Sequence, residues 1–209
     1  MVFKGMLLAV LSAGTMFAGL AEGRDIEDIC AMEIEGARLD MTQEAVLAIW
    51  SDRGLERHVP SRGGKRLPYL KFLLPQGQER EDFIARLQWN DFSQMPITNG
   101  GAFYVLELGF RPPQDKARLG VYNQMVTDKV RQWCGWAAPK IAVMDDNQRR
   151  RFERGCAAPV MMGADGVVRV SPAVRELPQT WDGCNWMVVG LNNGEFYMRL
   201  RGPKSPKGQ

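Results

Sequence analysis

The chain has 209 residues, of which 45% are hydrophobic and 24% are charged, and its formal net charge at pH 7 is +3. This length suffices for one large domain or two small ones with a hydrophobic core. Because the net charge is small for a chain of this length, the sequence argues against a nucleic-acid partner.

The N-terminus has the layout of a secretory signal peptide. A single positive charge, Lys4, precedes an apolar run from Met6 to Leu20, and the small residue Ala21 follows that run. An uncleaved membrane anchor is the alternative, but the run of about 15 residues is shorter than the roughly 20 that span a bilayer. We therefore assign residues 1–21 to a signal peptide. The expected product is periplasmic or secreted and has no transmembrane segment after cleavage.

An amphipathic helix is predicted near the start of the mature chain. Thr42 is a suitable N-cap, and Gly54 follows the expected end of the helix. The apolar side chains of Val46, Ile49 and Trp50 share one face. This stripe is wide enough to cover one face of a sheet, so we expect a buried helix and not an exposed docking surface.

Three stretches with strand patterns follow, at residues 66–74, 82–89 and 101–110, and segments rich in turn-forming residues separate them. Together they predict an antiparallel meander that completes a first unit at residues 22–113. Alternation in the second stretch places four side chains on one side of its strand, namely Phe83, Ala85, Leu87 and Trp89.

The same order of elements is predicted again in a second unit, residues 114–202. Helical spacing runs over residues 119–135 and is expected to stop at Gly135, and strand patterns at 159–170 and 184–200 predict two hairpins. The dipeptide Asn193-Gly194 marks the turn of the second hairpin. A polar segment at 145–155 is either a loop or a short helix, and residues 203–209 read as a flexible tail. The predicted fold class is α+β, with two consecutive helix-plus-antiparallel-meander units.

The four cysteines form an even set in a chain that is expected to be exported, which favours two disulfides. Zinc usually requires closely spaced ligand pairs, and these cysteines are far apart, so no metal is expected. Four cysteines allow three pairings. We prefer a bridge from Cys156 to Cys184, which flank the first predicted hairpin, and this choice leaves Cys30 with Cys134.

The segment that contains Gly36, Met41, Thr42 and Val46 resembles the opening of small exported bacterial proteins with the SmpA/OmlA-like, or β-lactamase-inhibitor-protein-like, fold. In that group a Gly-x-x-x-Gly-Met-(Ser/Thr)-x-x-x-Val segment begins a helix that packs on a small antiparallel sheet. Asp40 stands here at the position of the second glycine. The resemblance covers about 20 residues and implies a non-enzymatic role in protein binding or envelope assembly.

Two surfaces are candidates for binding. The segment around Phe152 carries four arginines that could grip phosphate or carboxylate groups, although a solvated helix face with Phe152 turned inward is the favoured interpretation. These arginines are Arg149, Arg150, Arg151 and Arg154. The open face of the predicted sheet is the other place where a partner could dock.

The chain lacks the common cofactor, metal and nucleophile motifs, so no cofactor and no catalytic residue is assigned. The expected function is that of a non-enzymatic binding or envelope-assembly protein. Its expected partner is another envelope protein, with an anionic surface as the second choice and without nucleic acid. The alternative is a hydrolase with an unfamiliar active site in which His58, the only histidine, acts as acid or base.

Overall fold

The fold is known from a computed structural model that describes residues 29–67, 69–91, 104–175 and 183–202. The predicted signal peptide (1–21) and the predicted tail (203–209) lie outside the described residues.

The described segments contain helices and antiparallel strands, which confirms the α+β class. The helices are a short 3₁₀ turn, Ile29–Ala31, followed by α1, Gln43–Trp50, α2, Lys116–Ile141, α3, Asp146–Ala157, and α4, Pro172–Arg175. The strands are β1, Glu56–His58, β2, Ser61–Arg62, β3, Lys65–Arg66, β4, Tyr69–Leu73, β5, Ile84–Asp91, β6, Tyr104–Phe110, β7, Val160–Met162, β8, Val168–Val170, β9, Asn185–Gly190, and β10, Phe196–Arg201.

Six strands form one antiparallel sheet in the order β1-β4-β5-β6-β10-β9, while β2-β3 and β7-β8 are separate hairpins. The meander β4-β5-β6 and the hairpin β9-β10 occur where the sequence predicts them. Because β10 pairs with β6, strands from both predicted units share this sheet. The buried hydrophobic residues likewise form one cluster, and the predicted boundary at residue 113 falls in the connection between β6 and α2.

The core lies between one face of the sheet, here called the inner face, and the helices. Trp50 of α1 is fully buried and packs edge-on against Phe72 of β4, with ring centroids 5.9 Å apart. On α2, the indole nitrogen of Trp133 donates to the carbonyl oxygen of Trp186 on β9 at 2.8 Å. The expected burial of the first helix is therefore confirmed.

Two residues before α1, Gly36 and Thr42, allow the helix to begin where it does. The hydroxyl oxygen of Thr42 accepts a hydrogen bond from the backbone nitrogen of Ala45 at 3.3 Å, as expected for an N-cap. Before the helix, Gly36 has a φ of 83° in a tight turn, and a Cβ atom there would lie 3.1 Å from Cγ2 of Ile49. Any other residue at position 36 would therefore be strained by its backbone conformation and crowded by α1.

The prediction that α2 stops at Gly135 is wrong, because the helix continues to Ile141. Its last turns bury Trp136, Ala137 and Ile141. A glycine inside a helix costs only about 1 kcal/mol relative to alanine, and burial of these side chains outweighs that cost.

The expected alternation in β5 is wrong at its beginning. A β-bulge between Ile84 and Arg86 adds one residue to the strand, so Ala85 leaves the alternation. Phe83 precedes the strand and has a φ of 61°, which is unusual for a bulky side chain. Only Leu87 and Trp89 lie on the inner face in the predicted manner.

All four cysteines are in disulfides, but the preferred pairing is wrong. The bridges join Cys30 to Cys184 and Cys134 to Cys156. Helix α3 packs beside α2, which brings Cys156 to Cys134, while the 3₁₀ turn packs against β9 and β10, which brings Cys30 to Cys184. The positions of Cys156 and Cys184 on either side of the first predicted hairpin therefore did not predict the disulfide pairing.

Substitution of the buried indole of α1 tests this packing. Trp50→Ala should lower the free energy of unfolding by about 3–5 kcal/mol, because it removes a large aromatic side chain from the core. Chemical denaturation followed by tryptophan fluorescence and circular dichroism would measure the change.

Thr42→Ala serves as the control on the same helix, since it removes one capping hydrogen bond and no buried surface. It should cost only about 1 kcal/mol. Equal effects of the two substitutions would contradict the burial of Trp50.

Candidate functional site

The sheet face opposite the core, here called the outer face, is defined by alternation along the paired strands. None of its side chains belongs to the hydrophobic core cluster. Its described members are Glu56, His58, Tyr69, Lys71, Leu73, Arg86, Gln88, Asn90, Val105, Glu107, Gly109, Asn185, Met187, Val189, Tyr197, Arg199 and Arg201. One row across the middle of this face runs from His58 through Lys71, Gln88, Glu107 and Arg199 to Met187.

The buried polar side chains of the described segments all lie on the outer face. They are Asn90, Glu107 and Asn185, each on a different strand. Glu107 is only 2% exposed. Burial of a carboxylate is costly unless other groups compensate its charge, so the neighbours of Glu107 decide what this face can do.

Two arginines compensate the charge of Glu107. Arg199 lies directly opposite it on β10, and its Nε donates to Oε2 of Glu107 at 2.8 Å, with a second bond from Nη2. Arg86 on β5 donates from Nη2 to Oε1. Each carboxylate oxygen therefore faces a different guanidinium group, and the side chains of Arg86 and Arg199 remain 23% and 37% exposed.

Gly109 on β6 leaves room for the aromatic ring of Tyr197 beside Arg86. A Cβ atom at position 109 would lie 2.8 Å from the ring of Tyr197 and 3.2 Å from Cβ of Arg86. In the space that the glycine leaves, Tyr197 approaches Arg86, whose guanidinium carbon is 4.1 Å from the ring centroid. This cation–π contact fixes the position of the Arg86 head group.

The hydroxyl of Tyr197 extends the network to the end of the sheet. It donates to Glu195, and Glu195 also pairs with Arg111 at 3.7 Å. Burial, followed by the hydrogen bond to Glu195, raises the pKa of Tyr197 to about 12. The phenol therefore keeps its proton, and its role as donor, at neutral pH.

Positive charge is in excess on the outer face. The cationic members are Lys71, Arg86, Arg199 and Arg201, and the acidic members are Glu56 and Glu107. The guanidinium groups of Arg86 and Arg199 are held in place by Glu107, and guanidinium groups are suited to bind carboxylate or phosphate groups. The described members include no serine, threonine or cysteine, and their only hydroxyl groups are the phenols of Tyr69 and Tyr197.

The four arginines of the other candidate surface are exposed on α3, and Phe152 is turned inward with its ring centroid 6.3 Å from that of Trp133. The predicted polar segment is thus a helix, which begins with Asp145 as its N-cap. Arg149 pairs with Asp146 in the first turn. Arg154 is a neighbour of both Arg150 and Arg151 on the helix surface, whereas the charge of Arg149 is shared with Asp146.

His58 is exposed on the edge strand β1 and lies opposite Lys71 of β4. Within the described ranges its ring takes part in no hydrogen bond or ion pair. The side chain opposite it is a cation, whereas an acid–base histidine is commonly oriented by a carboxylate or carbonyl group. The geometry therefore adds no support to the hydrolase alternative.

Comparison of the chain with protein-family models, curated proteins and solved structures gives no match. Within the described residues, no helix is both long enough and apolar enough to cross a membrane. The same segments contain no cluster of three or more potential metal-ligating side chains.

The sequence predicts an open sheet face but does not identify the residues that form its charged network. The signal was present, since polar side chains alternate with apolar ones in "RLQWN" and "MRLR". What it does not reveal is that Glu107 and Arg199 lie opposite each other, because 92 positions separate them along the chain. Only the pairing of β6 with β10 in the structure places these two residues opposite each other.

Glu107→Gln tests whether the carboxylate organises the outer face. This change leaves two guanidinium groups close to a neutral amide, so we expect it to destabilise the fold by about 1–3 kcal/mol, below the usual range for a fully buried pair because both arginines are partly exposed. Urea denaturation at neutral pH would measure the effect. Glu153→Gln on the exposed surface of α3 is the matched control and should stay within about 0.5 kcal/mol of the wild type.

Proposed function

We propose that the protein is an exported, non-enzymatic binding or envelope-assembly protein whose outer face receives an acidic segment of another envelope protein. The observation that carries the proposal is the excess of positive charge on that face, where Lys71, Arg86, Arg199 and Arg201 outnumber Glu56 and Glu107. Two of its arginines are already held by Glu107, so little side-chain entropy is lost when an anionic partner docks. Opposite charge on the partner would also accelerate its association.

Export to an oxidising compartment agrees with two independent features. The N-terminal sequence has the layout of a signal peptide, and both disulfides are of a kind that persists outside the reducing cytosol. The resemblance to SmpA/OmlA-like proteins at Gly36 to Val46 points in the same direction, towards a protein-binding role in the periplasm.

Charge reversal on the outer face should abolish binding of an acidic probe. The probe is a fluorescein-labelled oligo-glutamate peptide, and its anisotropy is measured with the oxidised protein at low ionic strength and at about 0.15 M salt. The double variant Lys71→Glu, Met187→Glu flanks the network without removing any of its bonds. We expect its affinity to fall at least about tenfold, because two like charges then face the peptide.

The matched control is the double variant Asn147→Glu, Arg150→Glu on α3, which changes the net charge by the same amount. It should bind the peptide as the wild type does. A loss confined to this control would move the site to α3. If the protein binds vesicles that contain anionic phospholipid but does not bind the peptide, its ligand is an anionic membrane surface and not an acidic protein segment. That result would contradict the proposal.

A further inference from the structure

Arg201 differs from the other arginines of the outer face because its guanidinium group has no partner among the described residues. Arg86 and Arg199 both bind Glu107, and Arg86 also lies over Tyr197. Arg201 lies two residues beyond Arg199 on the same face of β10, between Val105 and Asn185. Its guanidinium group makes no hydrogen bond or ion pair among the residues that the structure describes.

None of the described neighbours of Arg201 compensates its charge. Val105 on one side is buried and apolar, and the charged neighbour on its own strand is another arginine. Burial of the guanidinium, followed by the charge of Arg199, lowers the pKa of Arg201 from its ordinary value. A guanidinium group nevertheless stays charged at neutral pH, so an anion that paired with it would relieve both the desolvation and the repulsion.

We infer that Arg201 is the anchoring site for one carboxylate group of the acidic segment that docks on the outer face. This inference rests on the proposed function and assigns one residue within it. The planar guanidinium can pair with a carboxylate through two parallel hydrogen bonds, which a lysine at the same position could not do. Arg199 already donates to Glu107, so it adds positive potential beside the site while Arg201 supplies unused donors.

The position on the sheet favours a peptide carboxylate. Successive residues on one face of a strand are about 7 Å apart, the same spacing that alternate side chains of an extended peptide have. An extended acidic segment could therefore place one carboxylate at Arg201 and present the next towards the cluster of Arg199, Glu107 and Arg86. A single small anion would use only the first of these contacts.

Side-chain NMR of the oxidised protein would test the anchoring role. The arginine Nε–Hε signals are recorded during titration with the peptide acetyl-Glu-Glu-Glu-amide, and the signal of Arg201 is assigned by its absence in Arg201→Lys. We expect this signal to shift and saturate with the Glu peptide. The neutral peptide acetyl-Gln-Gln-Gln-amide should cause no shift.

Two substitutions at position 201 quantify the contact. Arg201→Gln should weaken binding of the Glu peptide about tenfold, the low end of what a charge-assisted hydrogen bond contributes. Arg201→Lys should recover part of that loss, since it restores the charge but not the paired geometry. Arg150→Gln on α3 is the control and should leave the affinity unchanged. Circular dichroism of every variant shows whether it is folded, and if Arg201→Gln fails to fold, Arg201→Lys alone decides the outcome.

Wild-type affinity in both position-201 variants would overturn the anchoring role. If the outer-face variant Lys71→Glu, Met187→Glu still lost binding in that case, the proposed function would stand without this anchor. Inorganic phosphate that shifts the Arg201 signal at lower concentration than the Glu peptide would overturn the assignment to a carboxylate. Absence of Glu-peptide binding by the wild type would contradict the proposed function itself.

Discussion

The antiparallel register between β6 and β10 is the constraint on which both faces of the sheet depend. It joins strands from the two halves of the chain, so the helices cover one continuous inner face. The same register sets Leu106 opposite Leu200 on that inner face and Glu107 opposite Arg199 on the outer face. A shift of β10 by one residue would turn Arg199 into the core and Leu200 out of it, so burial of the inner face also fixes the ion pairs of the outer face.

The disulfides reinforce this arrangement from outside the sheet. The bridge between Cys30 and Cys184 closes a separation of 154 residues and joins the first described element to the residue before β9. The bridge between Cys134 and Cys156 closes a separation of only 22 residues and holds α3 against α2. On the chain-entropy account such loops correspond to about 5 and about 3 kcal/mol of stabilisation respectively. The longer bridge therefore does more to restrict the unfolded chain, and it does so across both halves.

Local signals predicted local structure well. The N-cap Thr42, the stripe with Trp50 and the turn at Asn193-Gly194 each depend on residues a few positions apart, and the structure contains all three features. The end of α2 could not be predicted from Gly135, because burial of Trp136 and Ile141 overrides the local preference. The disulfide pairing and the Glu107 network also escaped prediction, since both join segments that only the tertiary fold brings together.

The composition of the outer face is hard to explain by stability alone. Apolar side chains of similar volume can often replace a buried ion pair without loss of stability, although removal of one partner leaves the other charge uncompensated and is costly. Glu107 is therefore needed once Arg86 and Arg199 are present, but stability does not require the arginines themselves. Tyr197 and Gly109 hold one of them in a defined position, and Arg201 adds a further charge that no described acidic side chain neutralises. This ordered excess of positive charge is the observation on which the proposed recognition of an acidic partner rests.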